Sequence, residues 1–158
     1  GKYLVPNQYI RTYNDFEMVY PGWSAYRERL TKVVSYSGEY SIRVDSNESF
    51  SPTYTIAVED LEFAPSSTIN MRASAFVYLT SGSKGNIVVT VQRGGEMIYW
   101  NAENLNEFSV PNTWNKVTLD KNLPQDLIPE DEIKIYIWST AKNEFFVDDF
   151  EIRIESIN

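Results

Sequence analysis

Apolar and polar residues alternate along most of this chain. Because successive side chains of a β-strand point to opposite faces of a sheet, a period of two indicates strands that bury one face. The alternation is clearest in residues 69–80, where Met, Ala, Val and Leu share one face, and in residues 133–139, where Ile recurs at every second position. No amphipathic helix of about three turns stands out, so the pattern predicts an all-β protein.

Short segments rich in Gly, Pro and Ser separate the alternating runs and predict turns, among them a hairpin at Gly94-Gly95. The predicted strands cover residues 14–17, 23–26, 30–34, 40–44, 53–63, 69–80, 87–93, 96–101, 114–119, 133–139 and 145–154. Such regular spacing of about ten strands favours a two-sheet antiparallel β-sandwich. We expect residues 1–12 to be a partly loose N-terminal extension and residues 13–158 to be the single sandwich domain.

Composition narrows the range of functions. The 14 basic and 22 acidic residues give a net charge of −8, which repels phosphate backbones, so we expect no nucleic-acid partner. No apolar run reaches the roughly 18 residues of a membrane span. Aromatic residues make up 15% of the chain, which suits both strands and surfaces that stack on rings.

The chain contains no Cys and no His. Without them, Ser-His and Cys-His nucleophiles and thiolate or imidazole zinc sites are excluded. A bound metal would therefore be held by oxygen ligands, which points to calcium. Because the chain starts at Gly1 rather than Met, we expect a trimmed extracellular or cell-surface protein, including a lipoprotein whose signal has been removed.

Two adjacent acids, Asp148 and Asp149, interrupt the last predicted strand. Asp is depleted in strands, and a carboxylate held against a packed sheet is costly unless it is hydrogen-bonded, paired or bound to a cation. One interpretation is a ligand pair for a hard metal ion. The other is that the pair caps a turn, pairs with Arg43 or Arg153, or faces water.

Five short motifs occur in a fixed order along the chain: Asn14-Asp15-Phe16-Glu17, Gly22-Trp23-Ser24, Ser37-Gly38-Glu39-Tyr40-Ser41-Ile42-Arg43-Val44, Thr113-Trp114-Asn115-Lys116-Val117 and Phe146-Val147-Asp148-Asp149-Phe150-Glu151-Ile152. In this order the motifs resemble the carbohydrate-binding modules of the galactose-binding-like jelly-roll group, in particular those appended to xylanases and glucanases. The resemblance implies a jelly roll, a non-catalytic role in binding polysaccharide, and a structural calcium that ties the first strand to the last.

By this resemblance, Glu17 and Asp149 supply carboxylates to the calcium, and backbone carbonyls near the Ser37–Glu39 turn complete its shell. Asp149 is favoured over its neighbour because Phe150 and Ile152 then bracket the edge. The predicted metal-site residues are Glu17, Ser37, Glu39, Asp148 and Asp149.

Alternation also sorts the aromatic residues. If the isoleucines of residues 133–139 face the core, then Tyr136 and Trp138 face outward. The predicted ligand-binding residues form one shallow cleft across one sheet: Arg72, Tyr78, Gln92, Trp100, Tyr136 and Trp138. The alternative is that these aromatics pack under loops. Trp23 and Trp114 are predicted to be core residues.

The leading prediction is therefore a non-catalytic glycan-binding module, with a polysaccharide and other domains of a larger parent protein as partners. The alternative is a structural or protein-interaction sandwich without sugar affinity. An enzyme is least favoured, because His and Cys are absent and the acids show no defined catalytic pair.

Overall fold

The computed structural model describes residues 8–64 and 66–157, and strands make up most of it. The strands, in chain order, are β1 (Tyr9–Asn14), β2 (Leu30–Thr31), β3 (Ser41–Val44), β4 (Tyr54–Ala57), β5 (Thr68–Leu79), β6 (Gly85–Arg93), β7 (Glu96–Asn104), β8 (Trp114–Asn122), β9 (Glu132–Ser139) and β10 (Phe145–Ile157). Helical structure is limited to one turn, α1 (Val58–Leu61), and two 3-10 turns, Arg27–Arg29 and Leu105–Phe108. No helix in these described ranges is long and apolar enough to cross a bilayer.

The strands form two antiparallel sheets, which confirms the predicted all-β, jelly-roll sandwich. The larger sheet has the order β2-β3-β10-β5-β8, and β1 also pairs with β10. The smaller sheet has the order β4-β9-β6-β7. The last strand thus lies in the middle of the larger sheet and pairs with the first strand, as the resemblance implied.

The core lies between the two sheets and is built from the alternating inner positions of their strands. Ile133, Ile135 and Ile137 of β9 are fully buried there, as are Met71 and Val77 of β5. Fully burying an aliphatic side chain contributes about 1.5–3 kcal/mol, so a strand with three or more such positions has its register fixed. The fixed register also determines which side chains of these strands face outward and form the outer surfaces of the two sheets.

The beginning of the domain differs from the prediction. Residues 9–12, predicted to lie in a partly loose extension of residues 1–12, belong to β1, while residues 1–7 lie outside the described residues. The strand ends where Asn14 Oδ1 accepts a hydrogen bond from the backbone N–H of Phe16 at 2.8 Å. Phe16 adopts a φ of 62° and is 1% exposed, so this turn directs its ring into the core. Alternation alone predicted that a strand begins at Asn14. The strand ends there instead, because the short Asn14 side chain accepts a hydrogen bond from the nearby backbone.

The predicted long strand at residues 53–63 is also wrong in its second half. The strand β4 ends at Ala57 and is followed by α1, whose first N–H, from Val58, donates to the Asp131 carbonyl at 2.8 Å. Glu62 then turns the chain with a φ of 55°. A tertiary hydrogen bond to the loop before β9 overrides the strand propensity of this segment.

Candidate functional site

The outer face of the smaller sheet carries a set of residues that we call the trough. Because the inner residues of β6 and β9 belong to the core, the intervening residues point outward. The trough consists of Phe50, Thr55, Asn86, Val88, Thr90, Gln92, Trp100, Ala102, Asn104, Glu132, Lys134, Tyr136 and Trp138. It lies on the side of this sheet that the core does not cover.

Strand register arranges the trough in rungs that cross the sheet. The rungs join Trp138, Asn86 and Asn104; then Tyr136, Val88 and Ala102; then Lys134, Thr90 and Trp100. Val88 and Thr90, in the middle, are fully buried although they face away from the core. The side chains on either side therefore cover them, so β6 forms a floor between two raised sides.

The raised sides are aromatic. On the β9 side, Phe50 forms a β-bridge with Trp138, and their rings lie parallel with centroids 6.2 Å apart. Phe50 also meets Tyr136 edge to face at 5.6 Å, and burial raises the pKa of the Tyr136 hydroxyl. On the β7 side, Trp100 is 49% exposed, whereas its neighbour Tyr99 packs against the core.

The floor contains one polar group without a partner. Thr90 Oγ1 is buried and makes no hydrogen bond with any described residue. Buried hydroxyls are normally satisfied by protein or water, because an unmade hydrogen bond costs about 1–3 kcal/mol. The Thr90 hydroxyl can both donate and accept a hydrogen bond, so it is suited to a polar ligand.

Phe50 and Arg29 are site residues that the sequence did not reveal. Phe50 stands in residues 49–51, which run beside β9: Ser51 N–H donates to the Ile137 carbonyl at 2.8 Å. The Arg29 guanidinium donates to the Phe50 carbonyl, and burial lowers the pKa of Arg29. Neither segment alternates, so Phe50 could be identified only from its pairing with β9, and Arg29, which lies outside the trough, only from its contact with Phe50.

Four of the six predicted ligand-binding residues lie together in the trough: Gln92, Trp100, Tyr136 and Trp138. Tyr78 and Arg72 do not, because both belong to β5 of the larger sheet. Their outward direction was predicted correctly. The assignment of β5 to the same sheet as β6 and β9 was wrong, since alternation does not tell which sheet a strand joins.

A second group of rings lies on the outer face of the larger sheet. Tyr36 stacks on Phe76 with centroids 3.6 Å apart, and Tyr78 meets Trp114 at 5.5 Å and Phe146 at 6.1 Å. Phe146 is buried at the base of this group, Phe76, Tyr78 and Trp114 are half-buried, and Tyr36 on the outer side is 47% exposed. The alternative of packing under loops applies to this group.

The two predicted core tryptophans therefore differ. Trp23 packs against the core and meets Phe150 at 5.0 Å, as predicted. Trp114 is half-buried and lies outside the core cluster, so its predicted core position is wrong. It opens β8 opposite Tyr78, on the outward side of that strand.

The predicted metal-site residues, Glu17, Ser37, Glu39, Asp148 and Asp149, do meet, and we call them the acidic seam. Asp148 is fully buried. Its Oδ2 accepts hydrogen bonds from the backbone N–H groups of Tyr36 at 2.9 Å and Ser37 at 3.1 Å. Its Oδ1 accepts from the N–H of Asp149 at 2.8 Å. Burial raises the pKa of Asp148 to about 7, the nearby charge of Asp149 adds to this, and the three N–H groups oppose it.

Asp149 lies at the bulge of β10 with a φ of 46°. Its Oδ1 accepts a hydrogen bond from the Ser37 hydroxyl at 2.6 Å. Tyr13 of β1 also bonds this carboxylate, and burial together with that bond raises the pKa of the Tyr13 hydroxyl. The bulge thus turns the second acid toward both the first strand and the Ser37 turn.

Glu17 reaches the same turn from the other side. Its carboxylate accepts from the N–H groups of Glu39 at 2.6 Å and Tyr40 at 2.9 Å. Gly38, with a φ of 59°, lies so close that an added Cβ would stand 2.3 Å from Glu17 Oε1. The Glu39 side chain itself points to Lys32 at 3.7 Å. The turn therefore offers N–H groups to the acids.

The charge of the acidic seam favours calcium, whereas the hydrogen bonds of its carboxylates do not. None of Glu17, Asp148 and Asp149 forms an ion pair within the described ranges, so the seam carries negative charge that a hard cation would balance. Yet backbone N–H groups already occupy Glu17 and Asp148, and no three acids converge on a metal position among residues 8–64 and 66–157. Of the alternatives to a metal site, capping of a turn is the one that applies to Asp148. Pairing with Arg43 or Arg153 does not apply, because these arginines pair with Asp45 and Glu155. Calcium stays a prediction.

Two cavities lie away from the trough. One of about 420 Å³ lies beside α1 and is lined by Leu61, Phe63 and Leu127 among others. The second, of about 310 Å³, lies between Met18, Trp23 and Tyr26, next to the acidic seam.

Comparison with known proteins supports the architecture. No family model and no curated protein matches the chain. Among solved structures, the C-terminal family 22 carbohydrate-binding module of Clostridium thermocellum Xyn10B matches with a TM-score of 0.60 and 15% identity, over 92% of this chain and 91% of that one.

Two further solved structures agree. The CBM22-1 xylan-binding domain of Paenibacillus barcinonensis Xyn10C has a TM-score of 0.54 and 22% identity, with 90% of this chain and 92% of that chain covered. The CBM35 of Cellvibrio japonicus Abf62 has a TM-score of 0.52 and 12% identity, with 94% and 99% covered. The chain therefore has the β-sandwich jelly-roll fold of these carbohydrate-binding modules, which the order of its five motifs implied.

Proposed function

We propose that the chain is a non-catalytic module that binds a polysaccharide in the trough. The observation that carries this proposal is the arrangement of Phe50 and Trp138 on one side and Trp100 on the other side of a floor with an unpartnered Thr90 hydroxyl. Sugar rings present C–H faces that stack on aromatic rings and hydroxyls that need hydrogen-bond partners. The trough offers both on a preformed sheet.

Xylan is the first polysaccharide to test. Three of the structural neighbours are described as xylan-binding domains. The side-chain amides of Asn86, Gln92 and Asn104 edge the trough and supply donors and acceptors for sugar hydroxyls. Among its described residues the trough holds one carboxylate, Glu132, whereas glycoside hydrolysis generally uses a pair of carboxyl groups. This supports binding rather than hydrolysis.

We further propose that the module works outside the cell beside other domains of a larger protein. A polysaccharide that lies outside the cell is too large to cross a membrane unaided, so a protein that binds such a polysaccharide works outside. One neighbour is a module solved together with the catalytic module of a Clostridium thermocellum endo-1,4-β-xylanase.

Binding assays test the proposed function directly. In affinity electrophoresis and calorimetry with xylan, mixed-linkage glucan and mannan, we expect retention and measurable heat with at least one of them. Tyr78→Ala is the control, because Tyr78 lies on the opposite sheet and should leave binding unchanged. If the folded protein bound none of a broad polysaccharide panel, the sandwich without sugar affinity would replace this proposal.

We propose in addition that the acidic seam binds calcium, because three of its four carboxylates, those of Glu17, Asp148 and Asp149, have no cationic partner in the described ranges. A ligand at a hundred times its dissociation constant stabilises the folded state by about 2.7 kcal/mol. At this chain length the melting temperature should therefore fall by roughly 5–10 °C when EDTA replaces calcium. A melting temperature insensitive to EDTA, or a Glu17→Ala variant that still showed the full calcium shift, would contradict the proposal.

A further inference from the structure

We propose that the trough prefers an anionic polysaccharide, one that carries uronic-acid carboxylates, and that Lys134 with Thr90 forms the carboxylate subsite. This inference rests on the proposed glycan-binding function and names the class of ligand. It starts from the charges in the trough, where Lys134 and Glu132 are the only charged members of the set.

Lys134 stands in the middle of the trough. Its neighbours across the sheet are Thr55 of β4 and Thr90 of β6, both hydroxyl residues, and Tyr136 follows on the next rung. The lysine is half-buried. No described residue forms an ion pair, hydrogen bond or cation–π contact with its ammonium group.

Lys134 is the one cation of the trough, and its ammonium group meets no anion among the described residues although the chain has a net charge of −8. The charge is therefore available to an anion of the ligand. Some cations have a carboxylate partner, since Arg93 contacts Asp131 at 2.7 Å and Arg11 contacts Glu151 at 3.2 Å. Others, such as Lys116 on the outer face of the larger sheet, form no ion pair with a described residue. A neutral sugar hydroxyl needs only an amide or hydroxyl donor, which the trough already has. A charged donor at its centre is suited to a charged acceptor.

The Thr90 hydroxyl provides a second and independent observation. It lies directly beside Lys134 in the register of β6 and β9, is fully buried, and has no hydrogen-bond partner in the described ranges. An ammonium and a hydroxyl on adjacent strands can each donate to one oxygen of the same carboxylate. The pair therefore defines a place for a carboxylate between the aromatic sides.

Glu132 sets the position of that carboxylate along the trough. It is exposed and lies two residues before Lys134 on the same face of β9, next to Gln92. Its charge repels an anion at that end. The uronic acid should therefore bind on the side of Lys134 that leads to Tyr136 and Trp138.

Calorimetry with two probes tests the inference: a linear xylo-oligosaccharide, and the same oligosaccharide with one glucuronic acid substituent. We expect the acidic probe to bind about twofold to fivefold more tightly at low salt, the upper part of the range for an exposed charge pair. The advantage should shrink at about 1 M salt, where the screening length falls to roughly 3 Å. The variants Lys134→Met and Lys134→Gln should lower the ratio of the two affinities to about one, and Lys134→Arg should restore it.

Lys116→Met is the matched control, since it removes the same charge from the outer face of the larger sheet and should keep the full preference. Equal affinity of the wild-type protein for both probes would overturn the charge preference while leaving the glycan-binding function intact. If neither probe nor any other glycan bound, the proposed function and this inference would both fail.

Discussion

Replacing Trp138 with Ala should weaken polysaccharide binding by about tenfold or more. The Trp138 ring lies parallel to Phe50 on the β9 side of the trough, with Tyr136 on the next rung. Aromatic residues at the centre of an interface commonly lose 2 kcal/mol or more of binding free energy when truncated, and 1.4 kcal/mol corresponds to tenfold. Calorimetric titration of the wild-type and variant proteins with the best ligand of the panel measures the loss.

A matched control separates binding from folding. Trp114→Ala removes the same ring from a half-buried outward position on the opposite sheet, so it should lower the melting temperature without weakening binding. Trp138 is also half-buried, so Trp138→Ala should lower the melting temperature to a similar degree and, unlike Trp114→Ala, should also weaken binding. If Trp138→Ala unfolded the protein, or if Trp114→Ala lost as much affinity as Trp138→Ala, the assignment of the trough as the binding surface would be wrong. Trp100→Ala, on an exposed ring at the other side, offers a second test of the trough.

The sequence predicted whether a side chain faces the core or the solvent better than it predicted which strands lie side by side. Alternation placed Ile135 inward and Tyr136 outward because burial of one strand face is a local property of the strand. It could not place β5 and β9 in different sheets, since strand pairing depends on contacts between segments far apart in the chain. Tyr78 was assigned to the trough for that reason. The order of the five motifs supplied the fold, which periodicity alone left among several sandwich types.

Two features of the sites depend on irregular backbone, which alternation does not predict: the position of Phe50 and the conformation of Asp149. Phe50 lies in a non-alternating segment that pairs with β9 by a few hydrogen bonds. Asp149 adopts a positive φ inside β10, a conformation that alternation cannot anticipate. The adjacent acids of the sequence did indicate a site at this point of β10. The hydrogen-bond partners of Asp148 proved to be the backbone N–H groups of Tyr36 and Ser37. Local composition identified the seam, and only the fold showed what the carboxylates contact.

Replacing Gly38 with Ala should destabilise the fold by about 3 kcal/mol, because two costs combine at this residue. A left-handed backbone costs an L side chain about 1–2 kcal/mol, and Gly38 has a φ of 59°. The new Cβ would also stand 2.3 Å from Glu17 Oε1, so the carboxylate must move from the N–H groups of Glu39 and Tyr40. Hydrogen bonds to a charged group contribute about 1.5–3 kcal/mol each. Chemical denaturation in EDTA measures the free energy of unfolding without any contribution from calcium.

Gly94→Ala separates the two costs. Gly94 has nearly the same φ, 57°, but no atom lies within 4 Å of an added Cβ, so this variant shows the backbone cost alone. We expect Gly38→Ala to be destabilised by at least about 1.5 kcal/mol more than Gly94→Ala, the lower value for one charged hydrogen bond. In a Glu17→Ala background this difference should largely disappear, because the side chain that the Cβ displaces is gone. Equal losses in the two glycine variants would show that Glu17 does not hold the Ser37 turn, and the attachment of that turn would then rest on Asp148 and Asp149 alone.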